Sequence, residues 1–266
     1  MKDLMNKTVV ITGASSGIGR AVAIQSVQRG AKVILLARNL DKLNEVKDIC
    51  NQIWANSATV YQLDIQDTDN LDEVVTNIDQ VDVLLNAAGF GDFSKNYVDT
   101  DFADIKDVFN TNVLGLMYMS RVIASKMIEQ GFGHIINIGS MAGKIPTAKA
   151  TAYAATKAAV IAFSDGLRLE LKPFNVQVTS VNPGPVDTNF FGMADPSGNY
   201  ITNLQKMPMS DMLFLKPDQL ALEIVNAFGT HKREINRPRI MAVASVLYKV
   251  APEIGDYLTD KFGDIK

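Results

Sequence analysis

Short runs of β-branched and apolar residues alternate along the chain with longer stretches in which apolar positions recur every three or four residues. The short runs fall at 7–12, 32–37, 58–63, 82–86, 134–139, 177–182 and 239–243. They are nearly continuous in apolar residues, the pattern of strands covered on both faces. The longer stretches, at 18–29, 40–54, 68–78, 102–130, 151–173 and 217–228, carry helical spacing. Strand–helix alternation of this kind predicts an α/β, doubly wound fold: a parallel sheet with right-handed crossovers and helices on both faces. No repeat, low-complexity tract or linker divides residues 1–266, so one domain is expected.

Two segments stand outside the alternation. Residues 188–215 form a long stretch without clear periodicity, and loops of that length in compact domains are usually functional. The stretch holds Phe190, Phe191, Met193, Tyr200, Met207 and Met209. Such residues suit an adaptable apolar lid over a substrate, and equally suit simple packing on the domain. In the tail, 244–266, apolar residues recur at helical spacing, as at Val246, Leu247, Val250, Ile254 and Leu258. That face has three possible uses: packing on the domain, covering a substrate mouth or meeting another subunit.

Composition narrows the function classes. A net charge of −3 gives no basic surface for nucleic acid or anionic lipid. A single cysteine forms no intrachain disulfide, and with only two histidines a His/Cys metal site is not expected. The first apolar run is too short for a signal-peptide core, and the run at 240–247 falls far short of a membrane span. These features predict a soluble, cytoplasmic protein.

Candidate chemistry gathers at the ends of the predicted strands. The first is followed by Gly13-Ala14-Ser15-Ser16-Gly17-Ile18-Gly19, opening the first helix. Glycines there let a pyrophosphate approach the backbone and the free N–H groups of a helix start. The second strand ends at Ala37-Arg38-Asn39. An acidic residue at this point would hold ribose hydroxyls and repel a 2′-phosphate. A guanidinium does the reverse, so NADP(H) is expected over NAD(H), with Asn39 assisting. Asp64-Ile65 suits an adenine contact, and Asp64 equally suits a helix cap or turn. The small residues of Asn86-Ala87-Ala88-Gly89 leave room for a flat cofactor. Asn112, inside a predicted apolar helix, needs a partner for its amide. Ser140 follows the fifth strand on the ligand edge. Asn182-Pro183-Gly184-Pro185-Val186-Asp187-Thr188 makes a rigid turn on the same edge. Tyr153 and Lys157, four apart, share a helix face, where an ammonium beside a phenol lowers its pKa.

In this order, Thr12-Gly13-xxx-Gly17-x-Gly19, Asn86-Ala87-Ala88-Gly89, Asn112, Ser140, Tyr153-xxx-Lys157 and Pro183-Gly184 resemble the short-chain dehydrogenase/reductase family, in its NADP-preferring branch. The resemblance runs from about residue 6 to about residue 190. It implies a single Rossmann-type domain with a seven-stranded parallel sheet, and hydride transfer between a nicotinamide and a carbonyl or alcohol. It implies Tyr153 as acid/base and Lys157 as the group that lowers its pKa and holds the nicotinamide ribose. Ser140 would orient the carbonyl, and Asn112 would anchor a proton-relay water. Pro183, Gly184, Val186 and Thr188, with Asn182, would make the nicotinamide-side contacts. The apolar lid points to an apolar small substrate. The family commonly forms dimers or tetramers, so a homodimer or homotetramer is expected. One departure is Gly139, where many relatives carry serine. The rival function is a non-catalytic NADP(H)-binding sensor or scaffold.

Overall fold

The computed structural model describes residues 3–206 and 212–262, with side chains as far as Tyr257. Met207, Met209 and the side chain of Leu258 lie outside the described residues.

Seven parallel strands form one sheet: β1 (Thr8–Thr12), β2 (Lys32–Ala37), β3 (Ala58–Gln62), β4 (Val83–Asn86), β5 (Gly133–Ile138), β6 (Val176–Pro183) and β7 (Glu234–Arg237). Their order is β3-β2-β1-β4-β5-β6-β7, the Rossmann-type arrangement expected. Helices α1 (Gly17–Val27), α2 (Leu40–Ile53), α3 (Thr68–Thr76), α4 (Phe102–Phe109), α5 (Leu116–Gln130) and α6 (Thr151–Leu171) fill the first five connections, α4 and α5 sharing the one between β4 and β5. Further on lie α7 (Phe190–Ala194), α8 (Asn199–Lys206), α9 (Pro217–Ala227), α10 (Arg239–Val250) and α11 (Pro252–Phe262).

Alternation along each strand builds two cores, one per sheet face. Val9 and Ile11 of β1 pack with α1, α2 and α9 residues such as Val22, Leu43 and Ile224. Val10, between them, faces Leu71, Met119 and Ile123 on the opposite side. Both cores are needed because a parallel sheet has no face to spare for water. The chain reverses direction of winding between β1 and β4, which opens a crevice at the carboxyl ends of the strands.

Three expectations need correction. The seventh strand is Glu234–Arg237, whereas the run at 239–243 belongs to helix α10. Its apolar residues read equally well at either period, and Pro238 at the cap position opens the helix. The predicted helix 102–130 is interrupted by a π-helical turn, Asn110–Gly115, between α4 and α5. The 188–215 segment is not irregular throughout, since α7 and α8 lie in it. Its ends are tied together where Leu215 N donates to Pro185 O (2.9 Å) and Asp187 N to Leu215 O (2.9 Å). Helices α10 and α11 run through the described part of the tail. Val243, Val246, Leu247 and Val250 leave an exposed apolar face on it. Among the described residues no helix is long and apolar enough to cross a membrane.

Candidate active site

The glycine turn is shaped by close backbone contact. Gly13 has φ +66°, and a Cβ there would sit 2.7 Å from Ala88 N. A Cβ on Gly19 would lie 2.4 Å from the Gly13 carbonyl oxygen. Thr12 locks the neighbouring loop: its hydroxyl accepts from Ala87 N (3.1 Å) and Ala88 N (3.2 Å). The turn and the Ala87–Ala88 loop thus form one rigid lip beside the amino end of α1.

That lip borders a cavity of about 480 Å³, a size ordinary for small-ligand sites. Strand order fixes what lines it. Asp64 and Ile65 follow β3, Arg38 and Asn39 follow β2, and the Gly13–Gly19 turn follows β1. Ala87, Ala88 and Gly89 follow β4, Ser140 follows β5, and Pro183, Gly184, Val186 and Thr188 end or follow β6. Tyr153 and Lys157 enter from α6. Asn39 also caps α2, its side chain accepting from Lys42 N (2.9 Å). Asp64 accepts from Gln66 N (3.1 Å), the turn role that was the alternative to an adenine contact.

Three nominated asparagines do not line the cavity. Asn86 is 1% exposed and turned into the sheet, donating to Ser120 Oγ (2.9 Å) and Asn137 Oδ1 (2.9 Å). Its Oδ1 has no partner among the described residues. Asn86 braces β4 against β5 and α5. Asn112, in the π-helical turn, spends its amide on protein groups. It accepts from Phe90 N (3.0 Å) and donates to Phe90 O (2.8 Å) and Thr156 Oγ1 (3.1 Å). The side chain clamps the loop after β4 onto α6. Asn182 is fully buried, accepting from Ser180 Oγ (2.8 Å) and donating to Asn236 Oδ1 (2.9 Å).

Asn182 also explains Gly139. A Cβ at 139 would lie 2.2 Å from Asn182 Oδ1. Gly139→Ser is therefore expected to destabilise the fold by about 1–3 kcal/mol through overpacking. In an Asn182→Ser background most of that cost should vanish. Urea denaturation of the four proteins of the cycle measures the coupling, and strictly additive effects would contradict the account.

Ser140, Tyr153 and Lys157 sit together. Lys157 Nζ donates to Ile138 O (2.8 Å) and lies 5.6 Å from the centre of the Tyr153 ring. Ser140 donates to Pro183 O (3.4 Å) and accepts from Ala142 N (3.1 Å), which fixes its hydroxyl at the cavity wall. Tyr153 opens partly onto the cavity, yet burial among protein atoms pushes its phenol up to about 12, with the Ser140 hydroxyl pulling the other way. Burial brings the Lys157 ammonium down to about 8. The expected lowering by the ammonium is not among the influences on this phenol: burial dominates, and the group that pulls it down is the Ser140 hydroxyl. At neutral pH the phenol holds its proton.

A family profile described as short chain dehydrogenase matches residues 7–197. The chain belongs to the short-chain dehydrogenase/reductase family of oxidoreductases. An uncharacterized oxidoreductase of Staphylococcus aureus (strain N315) is 37% identical over 201 residues, covering 74% of this chain and 85% of that protein. One of Staphylococcus saprophyticus is 36% identical, covering 73% and 85%. Among solved structures, a serine dehydrogenase complexed with NADP+ is 30% identical, with a TM-score of 0.76, covering 86% of this chain and 93% of that one. A short-chain dehydrogenase from Sphingobium yanoikuyae in complex with NADPH is 26% identical, with a TM-score of 0.78 and coverage of 92% and 95%.

Within this family frame, the structure adds site residues that the sequence reading passed over. Lys42, on the first turn of α2, lines the cavity near Arg38 as a second cation. Its signal was the spacing of four residues from Arg38. Met241 reaches the cavity from α10, hidden by the assignment of its run to a strand. Phe93 was legible, since its place after the Asn86–Gly89 loop already suits an apolar substrate; it forms the aromatic centre of the far wall, touching Tyr153, Phe190, Phe191 and Tyr200.

Proposed function

We propose that the protein is an NADP(H)-dependent oxidoreductase. In this reading it transfers a hydride between the cofactor and the carbonyl or alcohol carbon of a neutral, apolar small molecule, with Tyr153 as acid/base. The observation that carries this reading is that Ser140, Tyr153 and Lys157 line the same cavity as the glycine turn.

The residues present fit the cofactor. Gly13 and Gly19 leave a lip that a side chain would fill, bare backbone against which a pyrophosphate can lie. Arg38 and Lys42 are exposed where the 2′-phosphate of NADP(H) would be held, and the loop after β2 puts no carboxylate on the cavity there. The NADP+ and NADPH complexes of the two solved relatives favour the same choice. When bound, the nicotinamide supplies the hydride. The chain supplies the proton and the charge stabilisation. In reduction the Ser140 and Tyr153 hydroxyls receive the growing negative charge on the substrate oxygen, and Tyr153 gives its Oη proton to it. In oxidation Tyr153 takes the proton back. The Lys157 ammonium, beside the phenol, stabilises the phenolate left behind. Asn112, through Phe90 and Thr156, positions the loop after β4 and the backbone of Tyr153, whose carbonyl accepts from Thr156 Oγ1 (2.7 Å).

The test is NADPH oxidation against a panel of neutral ketones and aldehydes. Turnover of apolar members supports the reading, whereas cofactor binding without turnover of any member supports the rival, a sensor or scaffold. In the same assay Arg38→Ala should lower the NADPH-to-NADH ratio of kcat/KM by about tenfold or more, the worth of a charge-assisted hydrogen bond. An unchanged ratio would remove Arg38 from cofactor choice.

A further inference from the structure

The substrate end of the cavity is walled by rings, one of which, Tyr200, carries a phenol that donates to no described residue. Four charged side chains line the cavity among the described residues. Three of them, Arg38, Lys42 and Asp64, stand after β2 and β3, and the fourth is Lys157 beside Tyr153. The wall made by the loop after β4 and by α7, α8 and α10 carries no charge among its described lining residues. Phe93 is its centre. The loop holding Phe93 is joined to the lid by a backbone bond, Phe93 N to Ala194 O (2.8 Å).

Tyr200 differs from the other rings of this wall. It is 6% exposed and lies 4.7 Å from Phe93 and 6.0 Å from Phe191, centre to centre. Its backbone N–H is gripped by Asp195 Oδ2 (2.7 Å), a buried carboxylate whose other oxygen accepts from Ser197 N (3.1 Å). Tyr200 is thus anchored by its backbone and its ring faces, while no described residue accepts from its phenol. Burial, and to a lesser degree Tyr153, raises that phenol well above its ordinary pKa, so it stays a donor. Tyr153 packs on Phe93 at 5.3 Å and Tyr200 at 4.7 Å, so the two phenol-bearing rings have centres within about 10 Å. One small molecule can meet both. A site with a hydroxyl donor in an otherwise apolar wall discriminates against ligands that offer it no acceptor.

We propose that Tyr200 is a specificity-determining residue whose phenol donates a hydrogen bond to a second oxygen of the substrate. The substrate class that follows is a neutral ketone or aldehyde on an aromatic or alicyclic skeleton, bearing a further hydrogen-bond-accepting oxygen. This deepens the hydride-transfer reading and rests on it for the role of Tyr153.

Matched probes test it at two spacings: 1-phenylpropane-1,2-dione against propiophenone, and 1,4-diacetylbenzene against 4-ethylacetophenone. For each, kcat/KM with NADPH and binding by calorimetry in the presence of NADP+ are measured in wild type and Tyr200→Phe. The Phe variant keeps the ring that stacks on Phe93 and Phe191, and thermal melting checks its fold. Comparing ratios between proteins cancels the greater intrinsic reactivity of a diketone. The expected result is that wild type prefers the two-oxygen member of at least one pair. That preference should shrink about tenfold in Tyr200→Phe, the worth of one hydrogen bond. A wild type that binds neither two-oxygen probe better overturns the proposal even if the variant fails to fold. A preference kept in Tyr200→Phe, or an equal loss on both members of a pair, overturns it too. Preferential binding without NADPH oxidation by any probe would count against hydride transfer and leave Tyr200's role standing.

Discussion

Tyr153→Phe is expected to lower kcat by about 10²–10⁴-fold, the usual contribution of a positioned proton donor, while NADPH affinity stays essentially intact. The separation follows from where the hydroxyl sits. The ring of Tyr153 packs edge-on against Phe93 (5.3 Å) and tilted against Phe190 (5.6 Å), contacts that phenylalanine retains. Lys157 keeps its bond to the Ile138 carbonyl, so the cavity beside the turn is not disturbed. Only the proton is lost. Because burial holds the phenol near 12, it is protonated across the neutral range and ready to donate in reduction. Ser140 remains as one donor to the substrate oxygen, which accounts for a residual rate rather than none. Stopped-flow NADPH oxidation for kcat and fluorescence titration for affinity measure the two quantities separately. Undiminished turnover in the variant would refute the acid/base assignment.

What could be read in the sequence follows from how strongly each signal is tied to burial. Five of the seven strands lie in the sheet interior, where both faces must be apolar, and their continuous runs were legible for that reason. β3 and β7 are the edge strands; β3 still carries the β-type run Ala58-Thr-Val-Tyr61, and β7 has no such run. In Glu234-Ile-Asn-Arg237 only Ile235 is fully covered, so no apolar run marked it, and the neighbouring run at 239–243 took its place. The glycines of the first turn were legible because close backbone contact at Gly13 and Gly19, and left-handed φ at Gly13 and Gly17, disfavour any other residue. The asparagines were not. Asn86, Asn112 and Asn182 stand beside cavity residues in the chain, but a side chain's direction depends on strand pleat and on helix phase. Asn86 lies in register with Thr12 and Asn137, inside the sheet, and its amide is used there. The π-helical turn at Asn110–Gly115 shifts the phase of the long helix and carries Asn112 to Phe90. Spacing alone placed the Tyr153–Lys157 pair correctly on one helix face. It carried no information about desolvation, which sets the direction of both pKa values.

Alanine at the three glycines of the first turn separates two sources of constraint. Gly13 has both: φ of +66° and a Cβ position 2.7–2.8 Å from the Ala87–Ala88 backbone. Gly17 has only the first: φ is +53°, and its nearest neighbour, Thr188 Cγ2 at 3.5 Å, is an ordinary contact. Gly19 has only the second, with the Gly13 carbonyl oxygen 2.4 Å away and no left-handed backbone. Left-handed strain costs an L-residue about 1–2 kcal/mol, and forced overpacking about 1–3 kcal/mol. Gly13→Ala is therefore expected to be the most damaging of the three, at about 2–5 kcal/mol in urea denaturation. Gly17→Ala should lose only the strain. Cofactor binding should follow a different order. Gly13→Ala and Gly19→Ala both displace backbone of the cavity lip, and NADPH affinity should fall in each. Gly17→Ala adds one methyl facing Thr188 and leaves the lip in place, so its affinity should fall least. A Gly17→Ala protein less stable than Gly13→Ala would show that φ strain alone governs the turn. It would also show that the close approach to Ala87–Ala88 yields without cost, contrary to the bracing of that loop by the Thr12 hydroxyl.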